Sequence, residues 1–177
     1  MKIRLSFILL SLVLIILTTS ECKKHKPVNS IDQLPPETQT GSGTIGFLAN
    51  GQPITANYPK VYATYIYTTQ DGYSLGINAK NGNKWNFGLL SDSLKIQEKD
   101  TYPLNNNVFT KNAAWGGYMV LPNEYFTKPY LQGKLYISHF DSIKQIISGT
   151  FWFDATDTIS NKTAQIRNGR FDLHYTR

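Results

Sequence analysis

A chain of 177 residues, 41% hydrophobic and 17% charged, is long enough for one domain around a single core and too short for several. Its formal charge of +6 is unevenly placed: Lys2, Arg4 and Glu21 fall in the first 21 residues and Lys23, Lys24 and Lys26 just after them, so residues 27–177 carry 13 basic and 11 acidic side chains. A nearly neutral domain lacks the basic face that nucleic-acid binding requires, and a single cysteine excludes an internal disulfide.

The start, MKIRLSFILLSLVLIILTTSEC, has a basic tip, an apolar run from Leu5 to Leu17 and a polar stretch ending at Cys22. A membrane span needs roughly 20 apolar residues, so the run reads as an export signal. It resembles a bacterial lipoprotein signal, in which a peptidase cuts before a cysteine that carries a diacylglyceryl group. That resemblance makes residues 1–21 the signal peptide and Cys22 the lipid anchor. Glu21 departs from it, since such signals carry Gly, Ala or Ser there. The alternative is an ordinary secretory signal cut nearby, leaving Cys22 a free thiol. Two or more acyl chains hold a protein firmly at a membrane surface. That resemblance implies localisation at the cell envelope, held at a membrane surface and facing the periplasm or the exterior.

Residues 22–43 then read as a flexible tether. Pro27, Pro35 and Pro36 lie among Ser, Thr and Gly, with only Val28, Ile31 and Leu34 as apolar residues. Fully extended, such a segment reaches about 60 Å. The KKHK cluster beside the anchor acts as a solvated spacer or touches anionic headgroups.

From residue 44 to 177 the pattern is that of strands and turns, which places the chain in the all-β class. Thr44 to Ala49 is a short apolar run closed by Asn50-Gly51, a pair suited to a tight hairpin. Lys60 to Thr69, Tyr73 to Ala79 and Lys84 to Leu90 alternate apolar and polar residues and are separated by Asp71-Gly72 and Asn81-Gly82-Asn83, the pattern of a meander. Asp92 to Glu98 reads as a helical turn or a loop. Ala113 to Leu121 reads as a strand with Gly116-Gly117 as a bulge or close approach, and Pro122 to Pro129 as a loop. Leu131 to Phe140, Gln145 to Asp154, Ala164 to Arg167 and Gly169 to Tyr175 are the last strands. In the final one Phe171, Leu173 and Tyr175 form the dry face, and Arg170, Asp172 and His174 the wet one. The architecture expected is a single antiparallel β-sandwich or an up-and-down, lipocalin-like barrel.

The segments LPPETQTG at 34–41, GFLANGQ at 46–52, LYISHFD at 135–141, IISGTFWFDA at 146–155 and IRNGRFDLHY at 166–175 resemble a family of small lipoproteins from Bacteroidetes-type bacteria with no established activity. The resemblance implies an antiparallel β fold and an outer-membrane or periplasmic setting, and it carries over no catalytic residue. Members commonly have a cysteine where this chain has Leu48.

The residues that could carry chemistry are few. His25, His139 and His174 have no ligand partner at short spacing, so neither a metal nor a cofactor is expected. There is no Gly-x-Ser-x-Gly elbow. Asp154 and Asp157, beside Thr156 and Thr158, are a candidate carboxylate pair or calcium site, or simply a polar hairpin. The 11 Tyr, 9 Phe and 3 Trp exceed what one core face needs, and Trp85, Trp115 and Trp152 lie in three different strands. They are candidates to line a groove for sugar or an apolar ligand, or else belong to the core. Ser93, Ser142 and Thr158, each in an Asp-Ser/Thr-apolar triplet, resemble O-glycosylation sites of Bacteroidetes periplasm. The functional expectation is a non-enzymatic binding or interaction module for a glycan or an envelope protein, held at the membrane by its lipid. A carrier of a small apolar ligand is the alternative, and a hydrolase a third class.

Overall fold

The computed structural model describes residues 29–177. Their regular structure is eleven strands and one 3-10 turn, Ser30–Gln33, capped by the Asn29 side chain. The strands are β1 (Thr44–Ala49), β2 (Gln52–Asn57), β3 (Val61–Thr68), β4 (Gly72–Lys80), β5 (Asn86–Asp92), β6 (Thr101–Pro103), β7 (Ala113–Val120), β8 (Asn123–Phe126), β9 (Gly133–Asp141), β10 (Ile146–Asp157) and β11 (Thr163–Thr176).

They form one sheet in the order β2-β1-β11-β3-β4-β5-β7-β8-β10-β9-β6, and β10 also pairs with β11. The extra pairing closes a ring through β3, β4, β5, β7, β8, β10 and β11. Two long strands make closure possible by each serving two partners on one edge. β11 pairs with β1 through residues 166–172 and then, in parallel, with β3 through Tyr175 and Thr176. β10 pairs with β9 up to Phe153 and then with β8 through Thr156 and Asp157. The result is an all-β fold intermediate between a sandwich and a barrel, with β1–β2 and β9–β6 flanking the ring.

The interior is filled with rings. Phe47 stacks on Phe87 at 4.5 Å between centroids and meets Trp85, Tyr118 and Phe151 at 5.8–6.2 Å, joining β1 and β10 to β5 and β7. Each such pair adds roughly 0.5–1.5 kcal/mol to the burial of its rings. Truncating Phe47, which is fully buried, costs about 3–5 kcal/mol.

The hairpins expected at Asn50-Gly51, Asp71-Gly72 and Asn81–Asn83 are present, the first with φ of 49° and 81° at its two central residues, as a two-residue turn requires. Gly116 is a close approach, since a Cβ there would lie 2.7 Å from the Phe153 ring. Asp92 to Glu98 leaves β5 as a loop, one of the two readings expected there. Three expectations are corrected. Residues 122–129 contain β8, whose cross-strand bonds to β7 and β10 outweigh its brevity. The runs expected at 164–167 and 169–175 are one strand, β11, carrying an extra residue near Asn168 against both β1 and β10. The tether expected over 22–43 ends early: Leu34 is buried, and residues 35–43 lie along the domain, bonded to β11.

Candidate functional site

The site lies on the outer face of β9, β10 and β11, the side turned away from the rings. Period-two alternation sends Phe151, Phe153 and Ala155 of β10 inward and Thr150, Trp152 and Asp154 outward. The ladder sets Lys134 opposite Trp152, and Tyr136 and Arg170 on either side of Thr150. The extra residue of β11 turns Arg167 across this face. Its guanidinium lies 5.4 Å from the Trp152 ring, pairs with Asp154, and donates to the carbonyls of Phe153 (3.0 Å) and Ile166 (2.9 Å).

A wall comes from the stretch read as tether. Pro35 sits over Gly46, and its carbonyl accepts from Arg170 at 3.4 Å; the Gln39 side chain reaches the Ser138 carbonyl of β9. Between them the chain folds back around Asp172. This carboxylate accepts from the backbone N–H groups of Thr40 (3.0 Å), Gly41 (2.8 Å) and Ser42 (3.0 Å), and from the hydroxyls of Thr38 (2.6 Å), Thr40 (3.3 Å) and Ser148 (2.7 Å). Burial, at 2% exposure, works to raise its pKa; the bonds from Thr38, Ser42, Ser148 and Gly41 outweigh it and hold the carboxyl far below its usual range. A docked segment with only Leu34 buried is thus fixed by one charge.

Wall and ladder enclose a groove of about 660 Å³ lined by Glu37, Lys134, Tyr136, Thr150, Trp152 and Arg170, among others. A smaller cavity of about 360 Å³ adjoins it, sharing Lys134 and Trp152 and adding Asn105 and Gln132. Trp152 therefore stands between two hollows, a flat half-buried ring among hydrogen-bonding groups of both kinds. Such a surface can stack a sugar ring and bond its hydroxyls.

The other candidates fall elsewhere. Trp85 is buried against Phe47, and Trp115 is buried on the outer face of β7, against Phe109 of the preceding loop. His139 faces Glu98 at 3.6 Å, and His174 packs on Gly41 with Nδ1 3.3 Å from the Lys144 carbonyl. Asp154 is taken by Arg167, while Asp157 caps its hairpin by accepting from the Ser160 hydroxyl and the Ile159 N–H, which lower its pKa. No group of three or more His, Cys, Asp or Glu able to hold a metal is found among the described residues. Ser142 and Thr158 are exposed on hairpin turns, whereas Ser93 is half-buried and donates to Asp92. Cys22 and His25 lie outside the described residues.

Sequence reasoning missed Asp172, Arg167 and the Lys134–Tyr136 pair. The one available signal was the extra residue at Asn168, where the alternation breaks. Comparison with protein-family models, curated proteins and solved structures finds no match.

Proposed function

We propose that this chain is an exported lipoprotein of the cell envelope, anchored through Cys22, whose domain is a non-catalytic binding module for a carbohydrate-bearing envelope component. The observation that carries the binding reading is the Trp152 groove, with an aromatic face flanked by Lys134, Tyr136, Arg170 and Glu37. A carrier with an internal cavity needs room that Phe47, Phe87, Phe151 and Phe153 occupy, which favours the surface groove. Membership of the small Bacteroidetes-type lipoprotein family is part of the same proposal. So is O-glycosylation at Ser142 and Thr158, supported by their exposed turns.

The docked wall shortens the reach. Eleven residues lie between Cys22 and Leu34, at most about 40 Å of extended chain, so an anchored domain presents its groove close to the bilayer.

Two measurements test the reading. The mass of the N-terminal peptide from host membranes should show diacylglyceryl-modified Cys22; an unmodified peptide starting elsewhere overturns the anchor. Oligosaccharides released from the host envelope should perturb tryptophan emission saturably, and Trp152→Ala should weaken binding about tenfold or more, equivalent to ~1.4 kcal/mol. Equal binding by that variant overturns the groove.

A further inference from the structure

A separate cavity of about 460 Å³ opens where the ends of β3, β4, β9 and β11 meet. Its walls are rings contributed by all four strands. Tyr65 and Tyr73 stack at 5.3 Å, Phe140 and Tyr175 stack at 5.4 Å, and the edge of Tyr65 meets Phe140 at 5.2 Å. Tyr67 leans on Tyr73 at 4.9 Å yet is 61% exposed, and its neighbour Ile66 is 43% exposed. This apolar surface is left facing water at the mouth of a ring of strands, a common place for small ligands.

The charge at the rim selects among them. Lys95 Nζ lies 5.9 Å from the Tyr73 ring centre, and Arg177, whose guanidinium donates to the Ser142 carbonyl, is the second lining cation. Among the lining side chains there are two cations and no carboxylate. The nearby Asp141 carboxylate is not among the lining residues and accepts from the N–H groups of Ile143 and Lys144, both at 2.8 Å. Tyr65 adds no negative charge: burial pushes its hydroxyl up despite the N–H of Ile96 that it accepts at 2.9 Å.

We propose that this mouth is a second binding site, taking a small aromatic carboxylate or sulfonate whose ring slots against Tyr67 and Tyr73 and whose anion faces Lys95 and Arg177. A cation is disfavoured by both rim charges, and a neutral ring gains the stacking without the ion pair. This site is independent of the Trp152 groove.

The test is saturation-transfer NMR on the full chain with three probes of one shape: p-toluenesulfonate, neutral p-cresol and cationic p-methylbenzylamine. Sulfonate should bind at least about fivefold more tightly than the cresol, and the amine least. Lys95→Gln should reduce the sulfonate's advantage over the cresol, leaving the part that rests on Arg177, and Tyr67→Ala should weaken all three probes. Both positions are exposed, so neither change threatens folding. Equal binding of amine and sulfonate overturns the charge assignment, and probe binding indifferent to Tyr67→Ala overturns the site.

Discussion

The Trp152 groove crosses the middle of three paired strands, whereas the Tyr67 cavity lies where four strands end, and each is held together by what its location offers. Mid-strand, the ladder fixes side chains in rows, and the groove inherits its floor from hydrogen-bonded register. Its wall is a polar segment that has almost no apolar surface to bury and depends on a carboxylate instead. At the strand ends the ladder runs out and ring-on-ring contact takes over. The groove should therefore respond to loss of the Asp172 carboxylate and to acid, and the mouth to neither.

The largest effect should come from Asp172→Ala. Six hydrogen bonds converge on that carboxylate, and bonds to a charged group contribute roughly 1.5–3 kcal/mol each when nothing replaces them. Residues 38–43 can peel into water once released, so the net loss should be about 3 kcal/mol in urea unfolding. Hydrogen exchange should show residues 38–43 unprotected, while probe binding at the Tyr67 mouth persists.

Acid should reproduce part of that loss without mutation. The folded pKa of Asp172 lies below the unfolded value of roughly 3.9, so its contribution is complete at neutral pH and falls away as pH drops below about 4 toward the folded value. Urea midpoints of the native chain and Asp172→Ala should differ most above pH 5 and converge toward pH 2. A constant gap across that range contradicts the linkage.

Much of the domain was legible from its turns. The Asn50-Gly51, Asp71-Gly72 and Asn81–Asn83 signals bracket runs whose alternation is unambiguous, and the meander follows from them. The same alternation puts Trp85 with Phe87 and Leu89, and all three are buried. It cannot reveal that Trp115, on the opposite face, is covered by the loop before it, nor that Asp172 is. Between Phe171 and Leu173 a period of two assigns Asp172 to solvent, and the segment that buries it is about 130 residues distant in sequence. The wall itself is invisible to hydrophobicity, because its docking is carried by N–H groups that every sequence possesses. β8 was lost for a related reason: four residues carry too little pattern, although their pairing closes the ring.

A smaller perturbation separates the two ends of the wall. In Gly46→Ala the new Cβ would lie 2.3 Å from Cδ of Pro35, so the proline must lift while the clamp at residues 38–42 stays bonded. Overpacking of this kind costs about 1–2 kcal/mol, less than loss of Asp172. Exchange protection should fall at 34–37 and survive at 40–43; loss at both would mean that Pro35 and Asp172 hold the wall as one unit.

The smallest expected effect is the most informative about the groove. Arg167→Gln removes the pair with Asp154, the donors to Phe153 and Ile166, and the guanidinium over Trp152. All are partly exposed, so water substitutes and the cost should be about 1 kcal/mol. Trp152 should become more accessible to iodide quenching and its emission should shift to the red, with Trp85 and Trp115 still buried and the Tyr67 mouth unaffected. Carbohydrate that stacks on the face Arg167 now covers should bind this variant more tightly, because nothing has to be displaced. Carbohydrate held by the guanidinium itself should bind more weakly, which would move the recognition element from the ring to the charge above it.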